Sequence, residues 1–236
     1  MLSGAPLRLL HLDAWLVAVD KPAGLLAHRS PIAPGEEDVL LRRLREQLGR
    51  RVYLVHRLDR ATSGVLLAAF DRDLAAALGR QFAAGAVEKR YLAFVRGWFE
   101  PPEGRIEGAL EVPGRGLKPA ATGYRELARI ELGLPTPPHP TTRWSLVEAL
   151  PETGRYHQIR RHFRRAAHPV LGDGSHGDAR HNRLLRARFG IRRLMLHALE
   201  LGFRHPASGA ALRLRAPPDE DFARLAEALG IALPGA

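Results

Sequence analysis

The residues with the clearest chemical potential surround Asp59, within the stretch VHRLDRATSG at residues 55–64. Arg57 and Arg60 flank this carboxylate, and nearby positive charge favours the ionised form of an aspartate. An ionised carboxylate in a basic protein is a candidate nucleophile or base for an anionic substrate. A surface ion-pair network would have the same local pattern, so this stretch alone leaves both interpretations open.

The 11 histidines of the chain suggest a second kind of chemistry, catalysis by a bound metal ion. A metal-dependent hydrolase could be built from His157, His162, His168, His176 and Asp173. The spacing argues against it, since residues five apart do not share one helix face and no His-Glu-x-x-His pattern occurs. We therefore predict no metal site.

The chain is strongly basic, with 36 lysines and arginines against 25 aspartates and glutamates and a formal net charge of +11. All but three of the basic residues are arginines, whose planar guanidinium suits phosphate contacts and stacking on bases. A GC-rich genome would explain arginine in place of lysine, but it does not by itself produce the surplus of positive charge. The composition predicts binding to nucleic acid.

The composition also excludes several classes of protein. The chain has no cysteine, which removes disulfides, thiolate catalysis and cysteine-ligated metals. It has no apolar run of about 18 residues, the length that a membrane span requires. The first ten residues do not resemble a secretory leader. We expect a cytoplasmic protein.

Apolar periodicity and glycine or proline punctuation predict the elements that must position these residues. Strands are predicted at 7–19, 52–55, 64–70, 88–98, 122–132, 143–150, 194–203 and 210–214, and helices at 37–48, 71–82, 153–166 and 222–229. Asp71 or Asp73 is expected to cap the second helix, and the proline-rich residues 134–140 are expected to form a surface loop. Strands and helices intermix without regular alternation, which favours an α+β fold.

Five segments of the chain stand in the order found in the RluA family of pseudouridine synthases, which the sequence resembles from about residue 16 to residue 216. These are VDKPAGL at 19–25, HRLD with TSG at 56–64, KRY at 89–91, TGRYHQIR with HPVLGD at 153–173, and LMLHA at 194–198. One such tetrapeptide would be weak evidence, whereas five ordered segments are specific.

The resemblance implies a mixed, largely antiparallel central sheet flanked by helices and loops, with the catalytic cleft across the sheet. It implies isomerisation of uridine to pseudouridine in structured RNA. The N1–C1′ bond breaks, the base rotates and C5 joins C1′, so no cofactor is expected. We expect one catalytic domain over residues 1–236, without an N-terminal S4 RNA-binding domain, because the first strand begins by about residue 7.

The resemblance also assigns catalytic roles. Asp59 is the expected catalytic aspartate, and attack on C1′, attack on C6 and a glycal intermediate all stay open. Arg160 is the expected ion-pair partner that orients this carboxylate, with a phosphate contact as the alternative. Tyr91 is expected to stack on the target uracil and to remove the C5 proton. Without the resemblance, Tyr91 would be interpreted as a half-buried tyrosine of a strand.

Further residues are expected to contact the substrate: Arg57, Lys21, Arg155, His157, Arg161 and Leu196. Leu196 would form an apolar floor of the pocket. Lys21 has two equal interpretations, a contact to an RNA phosphate or a brace of the cleft. His56 is expected to hold the turn by hydrogen bonding, and the wider RNA surface is predicted at residues 155–165 with Arg180 and Arg183.

The RNA target is predicted from three shorter segments that resemble the TruC branch of the family, which modifies uridine 65 of certain transfer RNAs. They are residues 28–30, 140–143 and 176–183. The alternatives are a ribosomal or dual-specificity synthase and, in a different class, a non-catalytic RNA-binding module. We expect a monomer that needs no obligate protein partner.

Overall fold

The computed structural model describes residues 5–28 and 38–234. In these ranges the elements are β1 (Arg8–Leu12), β2 (Leu16–Lys21), α1 (Leu40–Leu48), β3 (Tyr53–Leu54), β4 (Ser63–Ala69), α2 (Arg72–Ala83), β5 (Glu88–Arg96), β6 (Glu103–Glu107), β7 (Leu110–Val112), β8 (Gly116–Lys118), β9 (Ala121–Leu132), β10 (Thr142–Pro151), α3 (Gln158–Arg165), α4 (Ala179–Phe189), β11 (Leu196–Arg204), β12 (Ala211–Arg215) and α5 (Glu220–Ala228). No helix within the described residues has the length and apolarity needed to cross a membrane.

Ten of these strands form one sheet in the order β1-β2-β4-β11-β5-β10-β9-β6, with β12 added to β11 and β3 to β4. Strands β7 and β8 form a separate hairpin. The pairings of β1 with β2, β2 with β4, β5 with β10 and β9 with β10 are all antiparallel. This sheet with its five helices confirms the predicted α+β class.

The chain groups into two compact units. Unit 1 comprises Met1–Glu88 and Ala198–Pro217, and unit 2 comprises Lys89–His197 and Pro218–Ala236. Strand β11 runs through both, because its first two residues belong to unit 2 and the others to unit 1. That residues 1–236 form one catalytic domain stays a prediction.

The core of unit 1 is centred on β4, which is buried at all of its positions. Leu78 of α2 joins Leu67 of β4 and Phe203 of β11 in one apolar cluster. Asp71 caps α2, since its side chain accepts a hydrogen bond of 2.8 Å from the Leu74 backbone N–H. One of the two predicted caps is thereby confirmed.

The prediction of a single strand at residues 7–19 is wrong. This part of the chain contributes to two strands, β1 and β2, which form a hairpin. Asp13 Oδ1 accepts hydrogen bonds from the backbone N–H groups of Trp15 and Leu16, each 2.8 Å long. Aspartate side chains commonly close turns in this way. Apolar side chains continue across the turn, and the pattern therefore concealed it.

The predicted helix at residues 153–166 begins later than expected, at Gln158. The Gln158 side chain holds the preceding turn, because its Oε1 accepts from the Arg155 N–H at 3.0 Å and from the Thr153 hydroxyl at 2.6 Å. Helix α4 was not predicted, because Ala179–Phe189 has only a short apolar stripe among its arginines.

Helix α4 is fastened to β10 by His181, which is buried. Its Nδ1 lies 2.9 Å from Trp144 Nε1, which donates to it. Burial lowers the pKa of His181 to about 4, and the nearby Arg96 acts in the same direction, against the opposing effect of Asp178. His181 is therefore neutral at physiological pH and accepts through Nδ1.

We expect the free energy of unfolding to fall as the pH drops from about 6.5 to about 4. In this window the unfolded chain protonates His181 while the folded chain does not, a difference of up to about 3 kcal/mol. His181→Gln should reduce the pH dependence measured by urea unfolding at pH 7 and pH 4.5. Equal pH dependence in wild type and His181→Gln would contradict this.

Candidate active site

The Asp59 turn lies in unit 1 between β3 and β4 and is held by its backbone. The Thr62 N–H donates to the Asp59 carbonyl at 3.1 Å, and the Gly24 N–H donates to the Arg60 carbonyl at 2.8 Å. Arg60 Nε returns a hydrogen bond of 2.8 Å to the Gly24 carbonyl. The first two family segments therefore form one framework, in which Asp59 is half-buried.

Lys21 braces this framework. Its Nζ donates to the carbonyl oxygens of Pro22, Leu25 and Arg60 at 2.8, 2.8 and 3.0 Å, and the residue is 0% exposed. A side chain with no accessible surface cannot contact an RNA phosphate. Of the two roles predicted for Lys21, the structure supports the brace, and we correct its place among the substrate-contacting residues. The sequence could not separate the two roles, because both need a lysine beside the Asp59 turn.

Gly64 is the second residue of β4, and both its backbone conformation and its close packing require glycine. Its φ is +109°, a conformation that side chains disfavour, and a Cβ at this position would lie 2.1 Å from the Ala198 carbonyl oxygen. Ala198 ends the last family segment. Within unit 1, the backbone at Gly64 therefore packs closely against the backbone of Ala198.

His56 holds the turn, as predicted, since its Nε2 accepts from the Leu67 backbone N–H at 3.0 Å and its ring stacks on Phe82 at 4.7 Å. Arg57 is exposed, and its Nη1 lies 3.3 Å from His28 Nε2. Burial and the Arg57 charge together lower the pKa of His28. Arg57 keeps accessible surface for the predicted RNA contact. Arg29 and Ser30 of the segment at 28–30 lie outside the described residues.

Arg160 of α3 is held in unit 2 by a two-point ion pair. Its Nε and Nη2 donate to the two carboxylate oxygens of Asp173 at 2.7 and 2.8 Å, and both side chains are buried. Burial alone would raise the pKa of Asp173, but the hydrogen bonds from Arg160 and from the backbone N–H groups of His176 and Ser175 lower it. The pairing of Arg160 with Asp59 stays a prediction.

The loop that carries Asp173 is itself fixed from α4. Asn182 donates from Nδ2 to the Asp173 carbonyl at 2.9 Å and accepts at Oδ1 from the Gly172 N–H at 2.8 Å. Gly172 has a φ of +74°, and a Cβ there would lie 1.8 Å from the Arg193 carbonyl oxygen. In the sequence, Asp173 had been assigned a role only as a candidate metal ligand. The aspartate that ends HPVLGD, 13 residues after Arg160, was the signal for this pair.

Tyr91 lies on β5, where it pairs with Ala149 of β10, and it is half-buried. Two residues before it, Lys89 Nζ donates to the carbonyls of Glu152 and Thr153, both at 3.3 Å. Burial lowers the pKa of Lys89 to about 8, with a further contribution from the Arg155 charge. The Lys-Arg-Tyr segment therefore fastens β5 to the turn before α3.

That turn and the first half of α3 carry the other predicted RNA-contacting residues of unit 2. Arg155 Nε donates to the Pro119 carbonyl at 3.1 Å, and Arg161 Nη1 donates to the Glu111 carbonyl at 2.8 Å. His157 has a φ of +52°, its Nδ1 lies 3.0 Å from His176 Nε2, and its ring stacks on the exposed Tyr156 at 3.7 Å. A non-glycine residue in this conformation is often found at functional sites.

Leu196 is buried at the start of β11 in unit 2, so its side chain is apolar surface of the interior. Its contact with a uracil stays a prediction. Within the described ranges, no three or more histidine, aspartate or glutamate side chains are grouped so that they could hold a metal ion.

Comparison with known proteins identifies the family. Residues 15–165, a span that includes Asp59, Tyr91 and Arg160, match the family model described as RNA pseudouridylate synthase. The chain belongs to this family. It is 42% identical over 234 residues to tRNA pseudouridine synthase C of Salmonella typhi, covering 95% of this chain and 90% of that protein. The protein of the same name from Vibrio cholerae is 42% identical over 234 residues, with 95% and 96% covered.

Solved structures agree with this assignment. The human protein RNA Pseudouridylate Synthase Domain Containing 4 superposes with a TM-score of 0.75 at 26% identity, covering 97% of this chain and 95% of that one. Human RNA Pseudouridylate Synthase Domain Containing 1 has the same fold, with a TM-score of 0.71, 24% identity and 98% coverage of both chains. The chain is an RNA pseudouridine synthase of the RluA family, an isomerase, and it has the predicted pseudouridine synthase fold.

Proposed function

We propose that this synthase converts uridine 65 of transfer RNA to pseudouridine. The observation that carries the proposal is the 42% identity, over nearly the whole length of both chains, to proteins named tRNA pseudouridine synthase C. The position of the uridine comes from the resemblance of residues 28–30, 140–143 and 176–183 to the TruC branch. A transfer-RNA substrate would be met in the cytoplasm, and we propose that the enzyme acts there as a monomer.

We further propose that Asp59 is the nucleophile of the reaction. Its turn is fixed by Lys21 and Arg60, which hold the backbone around it while the carboxylate stays half-buried. A rigid turn of this kind keeps a reacting group in one orientation at little entropic cost when the substrate binds. The N1–C1′ bond of the uridine breaks, C5 bonds to C1′, the C5 proton leaves and N1 gains a proton, so the atoms of the nucleotide balance.

Arg160 and Tyr91 are proposed to complete the catalytic set. The two-point contact with Asp173 leaves the Arg160 guanidinium one orientation, which suits a group that keeps the reacting carboxylate ionised. Tyr91 is proposed to stack on the uracil and to remove the C5 proton, and its half-buried place on β5 is compatible with an apolar face and a polar tip. Leu196 is proposed as apolar floor beneath the base.

Contacts to the RNA backbone are proposed for Arg57, Arg155, His157 and Arg161. Uridine 65 lies in a stem, so the base must leave the helix before the reaction. Unstacking and unpairing cost a few kcal/mol. Arginine contacts to phosphate and stacking on Tyr91 would offset that cost.

The test is to incubate the purified protein, without added metal, with an unmodified transfer-RNA transcript and to map pseudouridine by selective carbodiimide derivatisation followed by primer extension or mass spectrometry. We expect conversion at position 65 and none in a transcript carrying cytidine there. Conversion confined to a ribosomal RNA fragment would contradict the transfer-RNA proposal. Binding without any conversion would instead support a non-catalytic RNA-binding module.

A further inference from the structure

A concave pocket with a volume of about 350 Å³ lies beside α4 in unit 2. Three arginines line it together with Gly172, Gly174 and Asn182. We call Arg183, Arg186 and Arg192 the α4 arginine cluster. All three are exposed.

The cluster carries positive charge that its surroundings do not neutralise. Within residues 5–28 and 38–234, none of its three guanidinium groups has a hydrogen-bond or ion-pair partner. Nearby arginines are different, since Arg96 pairs with Asp178 and Arg193 pairs with Asp219. Residues 179–199 contain six arginines and no aspartate or glutamate.

The fold brings the three side chains to one place on rigid backbone. Arg183 and Arg186 are three residues apart and therefore share one face of α4. The helix ends at Phe189 and is capped by Gly190, whose φ of +68° turns the chain, and Arg192 lines the same concavity. The opposite face of α4 is anchored by the buried His181 and Leu185.

The predicted RNA surface at residues 155–165 differs from the cluster in one respect. Four of its five arginines already donate to backbone carbonyls: Arg155 to Pro119, Arg161 to Glu111, Arg164 to Gly177 and Arg165 to Ala109. The fifth, Arg160, is paired with Asp173. Arg180 likewise donates to the Pro137 carbonyl. The α4 arginine cluster therefore has more free donors for an external acceptor, and of the residues predicted as RNA surface it includes only Arg183.

We propose that the α4 arginine cluster binds backbone phosphates of the RNA substrate, apart from the nucleotide that reacts. The proposal rests on the proposed function, because it takes a folded RNA as the ligand. Three like charges around one concavity repel one another, and phosphate oxygens would relieve that repulsion. The planar guanidinium donates two parallel hydrogen bonds that fit phosphate geometry.

The test is the salt dependence of RNA binding by the triple variant Arg183→Gln, Arg186→Gln, Arg192→Gln. Fluorescence anisotropy with a labelled transfer-RNA transcript gives Kd at several KCl concentrations. Each phosphate contact releases about 0.9 counterion, so the slope of log K against log salt should become shallower by about two to three. Kd near 150 mM salt should rise about tenfold to a hundredfold.

Single substitutions provide a matched control. Arg186 lines the concavity and Arg188 does not, although both lie in the last turn of the same helix and both are exposed. Arg186→Gln should reduce the salt slope by about one and Arg188→Gln should leave it unchanged. Circular dichroism and thermal unfolding establish that each variant is folded.

Two outcomes would overturn the proposal. One is a triple variant with the wild-type slope and Kd, and the other is an equal loss of slope in Arg186→Gln and Arg188→Gln, which would mean that only total charge matters. The readout is binding and needs no turnover. An RNA-binding result that contradicts the role of the cluster can therefore be distinguished from a failure of the proposed function. In the latter case the wild-type protein makes no pseudouridine at position 65.

Discussion

Asp59→Asn is expected to abolish pseudouridine formation and to leave RNA binding intact. The asparagine side chain has nearly the same shape, and the turn depends on backbone groups such as the Asp59 carbonyl, so the fold should be retained. A neutral amide cannot act as the nucleophile. We expect kcat to fall by at least about 10³-fold, as for other enzymes that lose their nucleophile, with Kd for transfer RNA within about threefold of wild type. Release of tritium from transfer RNA labelled at C5 of uridine, under multiple-turnover conditions, measures kcat, and fluorescence anisotropy measures Kd.

Asp73→Asn is the matched control for this prediction. Asp73 is an exposed carboxylate in the first turn of α2, in the same unit as Asp59, so its substitution makes the same change of charge and size. We expect wild-type kcat for Asp73→Asn. Activity of Asp59→Asn within tenfold of wild type would remove Asp59 from its proposed role.

Asp173→Asn is expected to destabilise the protein by about 3–5 kcal/mol, because it removes the charge of a buried carboxylate that makes a two-point ion pair with the buried Arg160. The Asp173 side chain is 0% exposed and the Arg160 side chain 8% exposed, so water cannot replace the lost carboxylate. The hydrogen bonds from the backbone N–H groups of Ser175 and His176 would also weaken. Urea unfolding at neutral pH measures the change, and activity should fall because Arg160 loses its fixed orientation.

Asp178→Asn is the comparison for this second prediction. Asp178 also pairs with an arginine, Arg96 at 2.7 Å, but the carboxylate is 19% exposed and the arginine 35%. Asp178 is also the N-cap of α4, a position that asparagine serves about as well. The expected loss is about 1 kcal/mol or less. Similar losses in the two variants would contradict the argument that burial makes the Arg160–Asp173 pair important.

Several features could be predicted from sequence because they depend on residues close together in the chain. Helix α2 has its cap at Asp71 and its apolar stripe within 12 residues, and β4 is a continuous apolar run. The hydrogen bond from the Leu67 N–H to His56 joins residues only 11 apart. Local spacing therefore contained enough information for these elements and for the ordered family segments around Asp59.

Other features could not be predicted because they depend on which groups meet after folding. Nothing near Lys21 in sequence shows that the Arg60 carbonyl, 39 residues away, accepts from its ammonium. Helix α4 has weak local signals, and contacts such as the hydrogen bond of His181 with Trp144 hold it in place. The hairpin at Asp13 was missed for the opposite reason, since its apolar pattern continues through a turn closed by one carboxylate.

The sequence by itself determined the family, the chemistry to be expected of Asp59 and most of the strands and helices, since these follow from short-range patterns and ordered motifs. Only the tertiary structure decided the partners of the buried charges: three carbonyls for Lys21 and Asp173 for Arg160. It also decided that the guanidinium groups of the α4 arginine cluster stay exposed. The physical reason is that a charge buried away from water must find its partner wherever the fold brings one, and sequence distance carries little information about that.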